Sequence, residues 1–124
     1  MLNYTDAEKE LIASKDICYL STISANGWPH SVPVSYAQIE GVFFIPSNPE
    51  SKKIKNIRSN PKSSITINDE VSESGITLET EANILTKEEA TALRDQMKIL
   101  KGWTNTVSTR IIKLNPLRKA SWSL

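Results

Sequence analysis

The chain has 124 residues, of which 39% are hydrophobic and 23% charged, and its formal net charge is +1. This length suits one globular domain with a real core, so we expect a single domain over residues 1–124. The balanced charge argues against a general nucleic-acid or membrane-surface binder, and no apolar run approaches the roughly 20 residues that span a bilayer. One cysteine, Cys18, and an N-terminus without signal-peptide features predict a cytoplasmic location.

The first predicted element is a helix that begins at a capping box. Thr5 is followed three residues later by Glu8, and an apolar stripe then leads to a helix end near Ser14. Residues 17–24 are rich in β-branched and aromatic side chains, which predicts the first strand.

A hairpin follows, because Asn26-Gly27 is the pair that a tight two-residue turn prefers. Its partner strand is predicted over residues 28–39, with Val32, Val34 and Tyr36 on one half-buried face. Five further strands are predicted over residues 42–46, 63–67, 76–85, 109–114 and 119–124.

A long helix is predicted over residues 87–101. Thr86 and Glu89 form a second capping box before it, and Gly102 is well placed to end it. The residues predicted to face the core are Ala90, Leu93, Met97 and Leu100.

The order of the elements indicates a fold class. Short strands follow one another through hairpins, helices are inserted singly, and Asn115-Pro116 is predicted to separate the last two strands. This order predicts a mainly β protein, with a six- to seven-stranded antiparallel barrel and peripheral helices.

The segment "SNPESKKIKNIRSNPK", residues 47–62, holds five basic residues and one acid. It predicts a short helix that Glu50 or Ser51 caps, that turns Ile54 and Ile57 to the core, and that ends at Asn60-Pro61.

Lys52 and Lys53 fall in the first turn of that helix, where the helix dipole disfavours cations. Two ammonium groups beside free backbone N–H groups would bind an anion such as a phosphate, and Ser47 could add a hydroxyl. The alternative is an exposed polar helix start. Lys55 and Arg58 are interpreted as surface residues.

Pro33 interrupts the hydrogen-bonding pattern of its predicted strand, because proline has no backbone N–H. The backbone from Val32 to Val34 could therefore face a flat ligand with polar edges. The alternative is a plain edge strand.

Two stretches together resemble a known family. "GWPHSVPVSY", followed after a turn by "VFFIPSNPESKKIKNIRSNPKSSITI", is similar to the flavin-binding split barrels that include pyridoxamine 5′-phosphate oxidase. The resemblance covers roughly residues 16–85. It implies one FMN-binding split-barrel domain over residues 1–124 and a homodimer with the flavin at its interface.

The resemblance also assigns residues to the cofactor site. Those that match the family's 5′-phosphate site are Ser47, Lys52 and Lys53. Those whose backbone matches the contact with the isoalloxazine ring are Val32, Pro33 and Val34.

The function implied by the resemblance is an FMN-dependent oxidoreductase that acts on an unidentified small molecule or electron donor. The alternatives are a non-catalytic flavin-binding or electron-carrier protein, and the same barrel with FAD, a deazaflavin or haem. His30, the only histidine, is interpreted as a strand-end surface residue or a contact to the flavin edge or substrate. No metal site is predicted, no partner nucleic acid or membrane is expected, and no catalytic residue is assigned.

Overall fold

The computed structural model describes residues 2–104 and 109–124, which form one curled antiparallel sheet with three helices around it. The helices are α1 (Asp6–Ser14), α2 (Lys52–Ser59) and α3 (Lys87–Lys101). The strands are β1 (Ile17–Ile23), β2 (Pro29–Ser35), β3 (Ala37–Ile39), β4 (Val42–Ser47), β5 (Lys62–Asp69), β6 (Ser74–Ile84) and β7 (Arg110–Ser123).

The sheet has the strand order β2-β1-β5-β6-β7-β4-β3, and every neighbouring pair is antiparallel. It curls into a half-barrel, so the predicted mainly β fold class is confirmed. Among the described residues, no helix is both long enough and apolar enough to cross a membrane.

The core lies on the concave face of the sheet. Cross-strand partners Leu20, Ile65 and Leu78 are fully buried there, because alternate residues of each strand point inward. Ile54 and Ile57 of α2 close one end of this core, as predicted. Burying each large aliphatic side chain contributes about 1.5–3 kcal/mol.

The ends of α1 and α3 follow the local signals in the sequence. The capping boxes at Thr5 with Glu8 and at Thr86 with Glu89 are both present. Gly102 ends α3 with φ of 70°, a left-handed conformation that glycine adopts without steric cost.

The prediction that Leu100 faces the core is wrong. Met97 is fully buried in a small cluster between α3 and the sheet, whereas Leu100 is 56% exposed. Ala90 and Leu93 pack against that cluster, but it does not extend to the last turn of the helix.

The strand predicted over residues 28–39 is divided in two at Tyr36. Its backbone N–H donates to the Asp16 carbonyl at 3.1 Å, and its hydroxyl donates to the Ile12 carbonyl at 2.6 Å. These two bonds hold Tyr36 against α1 and the link that follows it. β2 and β3, on either side of Tyr36, lie at opposite edges of the sheet.

The last two predicted strands are instead one continuous strand, β7. Thr80 pairs with Pro116 and Glu79 pairs with Arg118, so Leu117 is an extra residue in the ladder. This irregularity accommodates the Asn115-Pro116 pair without ending the strand.

The carboxylate of Glu8 ties α1 to β7. Lys119 Nζ lies 2.5 Å from Glu8 Oε1, and the Ser121 hydroxyl donates to Oε2. Hydrogen bonds from Lys119, Ser121 and the Thr5 backbone lower the pKa of Glu8 to about 2. The charged form of Glu8 therefore stabilises the fold.

We expect Glu8→Gln to lower the free energy of unfolding at pH 7 by about 1–2 kcal/mol, because glutamine keeps the capping box but loses the charge. The pKa of Glu8 is lower in the folded state, so its contribution is complete above about pH 4.5 and is lost as pH falls toward 2. Urea unfolding across this pH range measures the difference. Glu10→Gln, at an exposed position of α1, is the control, and an equal loss in both variants would contradict the assignment.

Candidate functional site

The candidate site lies where β4 leads into α2. Ser47, the last residue of β4, is 4% exposed, and its hydroxyl donates to the Asn48 carbonyl at 3.1 Å. Its Oγ lies 2.8 Å from the Oγ of Ser51, the residue at the N-cap position of α2. Two serine hydroxyls therefore meet at the start of the helix.

The start of α2 has no side-chain cap. Ser51 stands at the N-cap position with extended backbone, but its hydroxyl bonds with Ser47 and accepts no helix N–H. Ser51 therefore occupies the predicted N-cap position, but the prediction that a side chain of Ser51 or Glu50 caps the helix is wrong. The first backbone N–H groups of α2 have no intrahelical partner, and the helix dipole adds partial positive charge there.

Lys52 and Lys53 increase that positive charge. Lys52 is exposed, whereas Lys53 is partly buried, and this burial lowers the pKa of Lys53. Neither lysine forms an ion pair with any residue of the described parts of the chain, and the first turn of α2 contains no acid. The helix start is therefore an uncompensated positive site.

A buried hydrogen bond fixes the position of α2. Asn56 Nδ2 donates to Thr22 Oγ1 at 3.0 Å, and the two residues are 5% and 1% exposed. Asn56 lies one turn after the lysine pair, so this bond holds the first turn against β1. Sequence reasoning missed Asn56, although a polar residue between Ile54 and Ile57 on a core-facing helix was a usable signal.

The predicted ring-contact segment lies on β2, an edge strand that pairs with β1 alone among the strands that the structure describes. Val32 and Val34 are half-buried on the inner face, and Pro33 is exposed on the outer face. β2 also contacts β4 across the open seam of the half-barrel. The seam therefore brings the strand of Val32–Val34 beside the strand that ends at Ser47.

The outer face of the sheet carries an uncharged row that crosses five strands. Pro33, Tyr19, Thr66, Thr77 and Ala120 are successive cross-strand partners, and we call them the outer row. Tyr19 is 46% exposed at its centre. Beside the outer row lies an open cavity of about 560 Å³, lined by residues of β1, β2, β5, β6 and β7.

Comparison with known proteins identifies the family. Residues 4–122 match the family model described as pyridoxamine 5′-phosphate oxidase. The chain therefore belongs to the pyridoxamine 5′-phosphate oxidase-like split-barrel family. No curated protein sequence matches the chain.

Solved structures share the fold at low sequence identity. An F420 reductase has 15% identity and a TM-score of 0.77, with 94% of this chain and 98% of that chain covered. HutZ, the heme storage protein from Vibrio cholerae, has 18% identity and a TM-score of 0.78, with coverage of 98% and 95%. General stress protein 26 from Bacillus anthracis has 24% identity and a TM-score of 0.76, with coverage of 92% and 89%.

We expect Thr22→Val to lower the free energy of unfolding by about 1–3 kcal/mol, because it leaves the buried amide of Asn56 without its acceptor. Adding Asn56→Leu should recover most of that loss, since both partners are then apolar. Thr91→Val, at an exposed position of α3, is the control and should change stability by less than about 0.5 kcal/mol. Urea unfolding measures all four proteins, and a neutral Thr22→Val would show that the bond does not hold α2.

Proposed function

We propose that this chain binds FMN at the start of α2 and acts as an FMN-dependent oxidoreductase on a small molecule. The observation that carries the proposal is the lysine pair at a helix start without a side-chain cap, where neither Lys52 nor Lys53 forms an ion pair with a described residue. A helix start favours an acid by its dipole, so two cations there are unfavourable until an anion binds.

The groups at this site suit a phosphate monoester. A phosphate carries close to two negative charges at neutral pH and accepts several hydrogen bonds. The free N–H groups of the first turn and the ammonium groups of Lys52 and Lys53 are donors. The hydroxyls of Ser47 and Ser51 could donate too, by turning from their present bonds to the Asn48 carbonyl and to each other. Charged donors of this kind form the stronger hydrogen bonds.

The edge strand β2 would position the flavin ring. Its unpaired edge and the seam with β4 offer backbone groups at Val32, Pro33 and Val34 near the strand of Ser47. When bound, FMN supplies the hydride or electron transfer. The chain's own part is to bind the cofactor, orient it and limit its contact with water.

Other cofactors that combine a flat ring with an anionic group are compatible with the same binding groups. FAD and deazaflavin cofactors also join a flat ring to phosphate, and haem joins one to carboxylates. Structures with the same fold include an F420 reductase and a heme storage protein. A flavin carrier without a substrate would use the same binding groups, so cofactor binding is the first test.

We expect Lys52→Ala and Lys53→Ala each to weaken FMN by roughly 10- to 150-fold, since each removes a charge-assisted hydrogen bond of about 1.5–3 kcal/mol. Riboflavin, which lacks the phosphate, should bind almost equally to all variants. Lys55→Ala, an exposed position on α2, is the matched control. Fluorescence titration with both ligands measures these affinities.

Two results would overturn this proposal. Equal losses for FMN and riboflavin would mean that the lysines support the fold and do not bind a phosphate. Preferential binding of a deazaflavin or haem over FMN in the same titrations would replace the cofactor. A screen of reductants with the FMN-loaded protein then separates an enzyme from a carrier.

We also propose that the protein is a homodimer that completes the flavin site. The outer row gives each chain a hydroxyl-rich and apolar surface without charge, and its Thr66 and Thr77 hydroxyls pair with one another at 3.1 Å. A charge-depleted centre is typical of a protein interface. Closed two-fold pairing would place two equivalent sites at the contact.

We expect Tyr19→Lys to shift the protein to monomer and to weaken FMN, because it places a charge at the centre of the outer row. Ile99→Lys, at an 83% exposed position on α3, should leave both properties unchanged. Light scattering and FMN titration measure the two effects. A wild-type monomer that binds FMN tightly would contradict the dimer proposal but not the cofactor.

A further inference from the structure

A second positive site lies near the other end of α2. An open cavity of about 460 Å³ is lined there by Ile57 and Arg58 of α2, by residues 82–86, which lead from β6 into α3, and by Arg110 of β7. We call it the arginine cavity. None of its residues belongs to the proposed flavin site.

The lining of the arginine cavity contains two guanidinium groups and no carboxylate. Neither Arg58 nor Arg110 forms an ion pair with residues 2–104 or 109–124. Arg58 is exposed and lies in the last turn of α2, where the helix dipole favours a cation. The dipole does not account for Arg110, which comes from a strand and is only partly exposed. Its charge is therefore partly removed from water without an acid in exchange.

The acids closest in sequence to the lining have other positions or partners. Glu81 lines the separate cavity beside the outer row. Glu89 accepts a hydrogen bond from the Thr86 backbone at 2.9 Å, and Glu88 is an exposed residue outside the lining. An anion in the arginine cavity would therefore meet two cations without displacing an internal partner.

Most of the remaining lining is aliphatic. Ile57, Ala82 and Leu85 are each 4% exposed and line the same cavity as the two arginines. An inorganic anion would bind the guanidinium groups alone, whereas an organic acid would also cover this aliphatic surface and gain from its burial. Guanidinium groups match the planar geometry of a carboxylate and bind it through two parallel hydrogen bonds.

We propose that the arginine cavity binds a small organic carboxylate, whose charged group pairs with Arg58 and Arg110 and whose apolar body lies against the aliphatic lining. The cavity volume falls within the range typical of small-molecule sites, about 300–1,000 Å³. Carboxylate binding here does not depend on the proposed FMN function.

The arginine cavity is separate from the proposed phosphate site. Arg58 follows Lys52 and Lys53 by six and five residues, so it lies about 8 Å further along the helix axis. Arg110 is directly opposite Ser47 in the pairing of β4 with β7, but the cavity around Ser47 does not include it. Two anions should therefore be able to bind beside α2 at the same time.

The test is a nuclear magnetic resonance titration of the full chain with hexanoate, hexanamide and acetate. Hexanoate should bind and shift the backbone amide signals of residues 82–86, which carry most of the aliphatic lining. Hexanamide lacks the charge and acetate lacks the apolar body, so each should bind at least tenfold more weakly.

Variants identify the two cations. We expect Arg58→Gln and Arg110→Gln each to weaken hexanoate by about tenfold, because each removes a charged partner. Lys55→Gln makes the same charge change at an exposed position of α2 outside the cavity, and it should alter the affinity by less than about twofold. Saturating FMN should also leave hexanoate binding unchanged.

A lack of hexanoate shifts at residues 82–86, or an equal loss in Lys55→Gln, would overturn the proposal. Equal binding of hexanamide would refute the role of the arginines, and equal binding of acetate would refute the role of the aliphatic lining. Displacement of hexanoate by FMN would place the carboxylate in the flavin site and leave the proposed function intact. Because the amide shifts are measured in the wild type, the test is decisive even where Arg110→Gln fails to fold.

Discussion

The hydrogen bond between Asn56 and Thr22 determines where the charge of the candidate site lies. It crosses 34 positions of sequence and lies between two buried side chains. Because Asn56 shares a side of α2 with Lys52 and Lys53, the same bond that holds the helix on β1 also orients the lysines. Apolar contacts from Ile54 and Ile57 supply most of the attraction, while the polar bond selects one orientation.

The lysines near the start of β1 are paired with acids, whereas the lysines at the start of α2 are not. Where β1 begins, cations are matched by acids: Lys119 pairs with Glu8, and Lys15 lies 3.3 Å from Asp69. At the start of α2, Lys52 and Lys53 form no ion pair with any described residue, and Glu79 of the neighbouring strand β6 pairs with Arg118 instead. An anion that binds there gains attraction without displacing an internal partner, which is the electrostatic basis of the proposed phosphate site.

The curl of the sheet gives its two faces different roles. The inner face is filled by aliphatic side chains and closed by helices, and the outer row offers an uncharged surface between charged margins. The edge strand β2 belongs to both regions, since Pro33 lies in the outer row and Val32 and His30 face inward. In the proposed dimer, a ligand along β2 would therefore contact the start of α2 in one chain and the outer row of its partner.

The sequence by itself determined the local features. Two capping boxes, the helix end at Gly102, the basic start of α2 and the mainly β class follow from short-range patterns. These depend on interactions over three or four residues or on simple alternation, which a sequence displays directly.

Only the tertiary structure decided the features that depend on register and long-range bonds. Tyr36 divides a predicted strand because its hydrogen-bond partners are Ile12 in α1 and Asp16 just after it. β7 continues through Asn115-Pro116 because β6 tolerates one extra residue opposite it. His30, Thr22 and Asn56 come from three separate elements. Their adjacency depends on strand pairing and helix docking, and no local pattern in the sequence encodes those distances.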